Sequence, residues 1–240
     1  EIYTLSLHDA LPISEKAGGG ARGHEFAPGF HAPGLAHLVN MLDPRVADGM
    51  DLARHGLHYI AANMPTTALD ASDDHLVFDG AAGATLKGSI SPADVKAWSV
   101  LRAQLLAFAG VLAPFRAMTP PRIARGGGND YLRLAKLGLG VRMLGKDDFR
   151  EFMRMLLINI YDVLEDELSD ARLKGLLAFD ATLGSWLGPR SPNSLILLLN
   201  RFSGEVAGQK AALALPSGGV PAVGEAMTRS VAAAAQRSRP

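Results

Sequence analysis

Cysteine is absent from these 240 residues, which removes disulfides, thiolate catalysis and zinc–sulfur sites together. Net charge is absent too. Lys and Arg number 24, as do Asp and Glu, so no global field draws the chain to nucleic acid. No uninterrupted apolar run reaches the roughly 18 residues that mark a membrane-spanning helix, so no span is expected. Also missing is the His-x-x-x-His spacing, with a nearby carboxylate, that holds a metal on a helix. His24, His31, His37, His55 and His58 crowd the first quarter of the chain without it, and no metal is expected. His55 and His58 straddle Gly56 at an expected helix end, where a histidine caps carbonyls. There is no evident nucleophile or acid–base pair.

Glycine is what the sequence does have. Gly18, Gly19 and Gly20, followed by Arg22 and Gly23, read as a loop whose backbone closely approaches phosphate, because a Cβ there would hold the phosphate off. Gly18, Gly20 and Gly23 literally spell G-x-G-x-x-G. That motif needs a preceding strand and a following helix, and Pro28 and Gly29 stand where the helix would run. Residues 1–14 imitate the strand, yet they match the in-frame translation of a sequencing-adapter oligonucleotide and are excluded from fold reasoning. Residues 15–32 are then expected to be an edge of a nucleotide-binding domain.

From residue 33 the pattern is regular. Leu35, Leu38, Val39 and Leu42 have helical spacing, with Pro44 ending that helix and a short second one over 45–52. Segments 57–61, 66–69, 76–78 and 84–87 predict short strands of a small antiparallel sheet, with turns at 70–74, Gly80 and Gly83. Ser91, Pro92 and Asp94 form a helix start, and Trp98, Leu101, Leu105, Phe108, Leu112 and Phe115 form its apolar stripe. Further helices are expected over 129–145, 146–164, 170–183 and 192–202, the last opened by Ser191-Pro192. A short strand over 211–215, a turn at Gly218 and Gly219, and a helix over 223–235 complete the chain. The organisation expected is a helix-and-sheet part (33–90), a helical cap (91–210) and a return segment (211–240). The acidic cluster Asp162, Glu165, Asp166, Glu167 and Asp170 reads as a solvated helix end that caps the next helix. Arg142, Lys146, Arg150 and Arg154 read as a solvated face.

Several stretches carry a resemblance. They include Gly18-Gly19 with Glu25 and Pro28-Gly29-Phe30, Ala36-His37-Leu38-Val39-Asn40, and Leu42-Asp43-Pro44-Arg45. His55-Gly56-Leu57, Ala178-Phe179-Asp180 and Leu187-Gly188-Pro189-Arg190-Ser191-Pro192 follow, then Phe202-Ser203-Gly204-Glu205-Val206 and Ala214-Leu215-Pro216-Ser217-Gly218-Gly219. In this order the chain resembles the phytoene dehydrogenase-like NAD(P)/FAD-dependent oxidoreductases, in the branch of pyridine nucleotide-disulfide oxidoreductase domain-containing proteins. The resemblance implies an α+β piece of an α/β FAD/NAD(P)-binding flavoenzyme. Its phosphate loop and ribose-binding acid are expected upstream of residue 15, and a further FAD segment beyond residue 240.

The chemistry so implied is hydride removal from an apolar small-molecule substrate onto FAD, with NAD(P), oxygen or quinone as electron partner. The resemblance assigns Gly18, Gly19, Gly20 and Arg22 to the cofactor, and His55, Gly218 and Gly219 to the substrate pocket. Relatives place an arginine straight after the two glycines, whereas here Gly20 intervenes and Arg22 follows. It also implies that part of the helical lobe lines an apolar tunnel or touches a membrane surface, in a cytoplasmic, membrane-associated setting. No nucleic-acid partner is expected. The rival expectation is a stand-alone helical module that binds an apolar ligand or a partner protein, with its glycine turns apart.

Overall fold

The computed structural model describes residues 18–124 and 126–237; the adapter-like stretch and its strand imitation lie outside them. The chain forms two compact units. The first holds residues 18–39, Arg45–Ala61 and 215–237, and the second holds Asn40–Pro44 and Ala62–Ala214.

In the first unit β1 (Gly23–Ala27) and β2 (Phe30–Pro33) make an antiparallel hairpin. Its turn uses Gly29 at φ +78°, and Glu25 accepts the Gly29 N–H at 2.8 Å. Helix α1 (Pro44–Gly49) follows, then β3 (Tyr59–Ala61). β3 pairs antiparallel with β9 (Leu215–Pro216), which leads into α8 (Pro221–Arg237). Leu52, Leu57, Val220, Ala222 and Ala226 are buried.

The helix expected over 35–42 does not form. Its amides are taken elsewhere: Leu35 and Ala36 N–H donate to Gly20 O, and Leu42 N–H donates to Glu205 O. Leu35 is 88% exposed, so its helical spacing reflects no buried stripe. Pro44 begins a helix instead of ending one, consistent with proline at a first helical position.

The second unit joins a sheet to a helical bundle. β4 (Thr66–Ala68), β5 (Leu76–Asp79) and β6 (Thr85–Lys87) form one antiparallel sheet in that order. Segment 57–61 was expected beside them but pairs with β9 in the other unit. The helices are α2 (Pro92–Leu112), α3 (Gly128–Arg142), α4 (Lys146–Leu157), α5 (Ile160–Glu167), α6 (Ala171–Thr182) and α7 (Leu195–Phe202). Between α7 and β9 lies a hairpin of β7 (Glu205–Val206) and β8 (Gln209–Lys210).

Helix α7 is central. It packs on α2, α4 and α6, with Leu195, Leu198, Leu199 and Phe202 buried. The stripe on α2 is core as expected: Trp98, Leu101, Leu105 and Phe108 are buried, and Phe108 meets Phe152 edge-on at 5.3 Å. Ser91 caps α2 by accepting the Asp94 N–H at 3.0 Å. Trp98 Nε1 donates to Gly83 O at 2.8 Å, and Arg102 donates to Ala81 O and Ala82 O, so the β5–β6 turn is tied to α2. Pro92–Arg116 is long and apolar enough to cross a membrane, although no run within it is uninterrupted; here its apolar stripe is the core of a helical unit.

Two helix boundaries differ from expectation. The span 146–164 splits because Ile158 is extended and Asn159 caps α5, accepting the Asp162 N–H at 2.8 Å. Ser191-Pro192 does not open α7. Asn193 sits at φ +64°, and Ser191 Oγ accepts the Gly188 N–H instead. Ser194 is buried, accepting the Ile160 N–H and donating to Pro189 O. Asp170 does cap α6, accepting N–H from Arg172 and Leu173.

Candidate functional site

All the site residues expected from sequence lie in the first unit. Gly18 and Gly19 have φ of +132° and +50°, where a Cβ is disfavoured. They open a single 3-10 turn, Gly19–Ala21. Ala21 N–H donates to Gly18 O and Arg22 N–H to Gly19 O. The turn is pinned from the far side, since Gly20 O accepts from Leu35 and Ala36 and Arg22 O accepts from Gly34. A Cβ on Gly34 would stand 2.5 Å from that Arg22 oxygen, so the crossing requires glycine. The three glycines and Arg22 are exposed, and nothing lies within 4 Å of a Cβ placed on Gly19. Bare backbone beside a guanidinium is a chemistry suited to phosphate oxygens.

Gly218 and Gly219, at φ +82° and +76°, turn the chain from β9 into α8. Gly219 N–H donates to Pro216 O, and Ala222 N–H to Gly219 O. The same region grips the segment around His55. Ser217 N–H donates to His58 O at 2.8 Å, Arg229 Nε to His55 O at 2.7 Å, and Ser230 Oγ to Met50 O at 2.7 Å. His55 is half-buried. A Cβ on Gly23 would lie 3.2 Å from Pro221 Cγ, so β1 also meets the start of α8. The His55 segment and the second glycine turn thus meet around α8, and β1, which follows the first glycine turn, meets the start of that helix.

Comparison with known proteins gives a distant relationship only. No protein-family model matches the chain, and no solved structure matches it. The chain is similar to pyridine nucleotide-disulfide oxidoreductase domain-containing protein 2 of Mus musculus, 25% identical over 231 residues. The protein of that name from Rattus norvegicus is 25% identical over 232 residues. Each match covers 90% of this chain and 40% of the relative. The chain therefore spans well under half the length of the curated relatives it matches. The relationship is distant and oxidoreductase-like.

Sequence reasoning missed two residues beside the candidate site. Arg229 supplies a donor to the loose carbonyl at the end of the 51–56 turn, at a sequence separation that no local pattern exposes. Tyr59, opposite Pro216 in the β3–β9 pair, is half-buried, and burial pushes its phenol above the ordinary value. It is therefore a neutral donor at neutral pH.

The second unit holds a buried ion pair. Asp180 on α6 and Arg201 on α7 approach at 3.6 Å, with side chains 18% and 12% exposed. Arg201 Nε has no hydrogen-bond partner. Burial pushes the Asp180 carboxyl up, with Arg201 opposing. A depression of about 560 Å³ lies elsewhere on this unit, lined by Tyr161 and by Gly188, Pro189, Arg190, Ser191 and Pro192. Arg190 stacks over Tyr161 at 3.9 Å there. That depression is wide open and gathers none of the residues expected at a site, so the glycine turns remain the better candidate.

Proposed function

We propose that this chain is the substrate-covering part of an FAD-dependent oxidoreductase of the phytoene dehydrogenase-like type, taking a hydride from an apolar substrate. One observation carries the proposal. The two glycine-bearing stretches, at 18–20 and 218–219, share a compact unit, while residues 62–214, which with Asn40–Pro44 make up the second unit, run between β3 and its antiparallel neighbour β9. Neighbouring antiparallel strands put the exit and return of a chain side by side, which is how one domain accepts another within its sequence. The oxidoreductase names of the curated relatives, matched along 90% of the chain, support the same reading.

The residues present fit one edge of a dinucleotide site. FAD, when bound, supplies the hydride acceptor. Gly18, Gly19 and Gly20 offer backbone without side chains, and Arg22 offers a guanidinium to pyrophosphate oxygens. On the substrate side the reading assigns His55, Gly218 and Gly219, with the half-buried Tyr59 as a hydrogen-bond donor. NAD(P), oxygen or quinone takes the electrons onward. The rival reading, a stand-alone binding module, is weakened because the α2 stripe that motivates it is already buried as core.

Fluorescence titration of FAD into the 240-residue protein tests the proposal. Weak, saturable quenching is expected, diminished further in Gly19→Val and Arg22→Ala. Stoichiometric micromolar binding that neither substitution alters would defeat it.

A further inference from the structure

We propose that the depression beside Arg190 binds an organic oxyanion, a carboxylate or phosphate carried on an apolar body. Every residue involved lies in the second unit, so the inference goes beyond the oxidoreductase reading and does not rest on it.

The turn that carries Arg190 is fixed before any ligand arrives. Pro189 and Pro192 restrict the backbone on either side. Pro189 O accepts the Tyr161 N–H at 3.1 Å and the Ser194 hydroxyl at 3.1 Å. Gly188 O accepts the Ser191 N–H at 2.9 Å, and Ser191 Oγ accepts the Gly188 N–H at 3.0 Å. Ser194 is buried, which anchors the turn in the helical core.

The Arg190 guanidinium lies over the Tyr161 ring, 3.9 Å from its centroid. Stacking uses the flat face of the guanidinium and leaves its in-plane N–H fork unused. Among the described residues no carboxylate stands at ion-pair distance from it. The acid next to Tyr161 is committed elsewhere, since Asp162 accepts from Asn159 Nδ2 at 2.7 Å. Holding the side chain on the ring removes rotamer freedom that a loose arginine would lose on binding. A stacked, unpaired fork matches two oxygens of a carboxylate or phosphate.

The lining narrows the ligand further. The depression of about 560 Å³ is of the size that small-molecule sites have. Ser191 lines it too, and its hydroxyl, which accepts from Gly188, keeps a hydrogen to donate. The Pro189 carbonyl is taken twice. The groups on offer are therefore donors, which select an acceptor-rich ligand. Pro189, Pro192 and the Tyr161 ring give its apolar body walls to lie against.

Amide proton–nitrogen NMR titrations of the 240-residue protein with benzoate, phenyl phosphate, benzamide and inorganic phosphate test the proposal. Saturable shifts at the Tyr161, Gly188, Arg190 and Ser191 amides are expected with benzoate and phenyl phosphate, weakening as salt rises, and none with benzamide. The tighter of the two names the source, a carboxylic acid or a phosphate ester, and either supports the site. Arg190→Lys keeps a cation but loses the fork and should weaken binding about tenfold; Arg190→Gln should abolish it. Tyr161→Leu should weaken binding because Arg190 is no longer held, whereas Tyr161→Phe keeps the ring and should bind like the parent. Lys96→Gln, on α2, should change nothing. Each variant's spectrum shows whether the turn holds; should Arg190→Gln disturb it, Arg190→Lys and the two Tyr161 variants decide. Equal shifts with benzamide, or an Arg190→Lys protein that binds benzoate like the parent, overturn the proposal. So do inorganic phosphate as effective as phenyl phosphate and shifts that never saturate, which would mark an adventitious ion only.

Discussion

Replacing Asp180 with asparagine should destabilise the second unit far more than a surface substitution does. The pair Asp180–Arg201 approaches at 3.6 Å, and both side chains are largely buried. At an effective dielectric constant of about 20, two unit charges at that separation attract by roughly 4–5 kcal/mol. Desolvation costs several kcal/mol per ion, so the intact pair is close to neutral for stability. Removing only the carboxylate leaves a buried guanidinium whose Nε has no other partner and whose Nη1 reaches only Ala212 O, at 3.4 Å. The expected loss is about 3–5 kcal/mol. Asp180→Leu combined with Arg201→Met should recover most of it, because no unpaired charge is then buried. Urea unfolding of the parent, both single variants and the double variant measures this as a cycle. A loss below about 1 kcal/mol for Asp180→Asn, or a double variant as unstable as the summed singles, would refute the reasoning.

Other outcomes follow from the same structure. Leu105→Ala, at a fully buried α2 position, should cost about 2–5 kcal/mol in urea unfolding. Trp98→Phe removes the buried donor to Gly83 O and should cost about 1–3 kcal/mol, part of it the unsatisfied carbonyl. Hydrogen bonding from Arg172 holds the Asp170 carboxyl below the usual carboxylate value. Its stabilisation is therefore present above the unfolded value of about 3.9 and lost as pH falls through the lower folded value. Asp170→Asn should flatten the acid limb of a stability–pH curve there, and an unchanged limb would contradict the assignment.

The elements legible in the sequence are those fixed by local chemistry. Ser91, Pro92 and Asp94 announce α2, Asp170 announces α6, and the alternation around Gly80 and Gly83 marks β5 and β6. What stayed hidden depends on distant partners. Leu35, Leu38 and Leu42 have helical spacing, yet Glu205 O claims the Leu42 amide that a helix would pair with Leu38 O. The β3–β9 pair joins residues more than 150 positions apart, and the grip of Arg229 on His55 O is as remote. Ser191-Pro192 copies the cap of α2, but Asn193 in a left-handed conformation diverts the chain. At the candidate site, the glycines were readable directly, and Gly18, Gly19, Gly218 and Gly219 adopt the positive φ that glycine permits. The meeting of β1, the His55 segment and the second glycine turn with α8 was not readable, because it is tertiary.

Photolabelling with an azido-FAD, mapped by peptide mass spectrometry, tests most directly whether the glycine-bearing unit forms a flavin edge. The account predicts label on the peptide carrying Gly18, Gly19, Gly20 and Arg22 and on the turn at Gly218 and Gly219, competed away by excess FAD. Label confined to residues 62–214, or label that FAD does not displace, would contradict it.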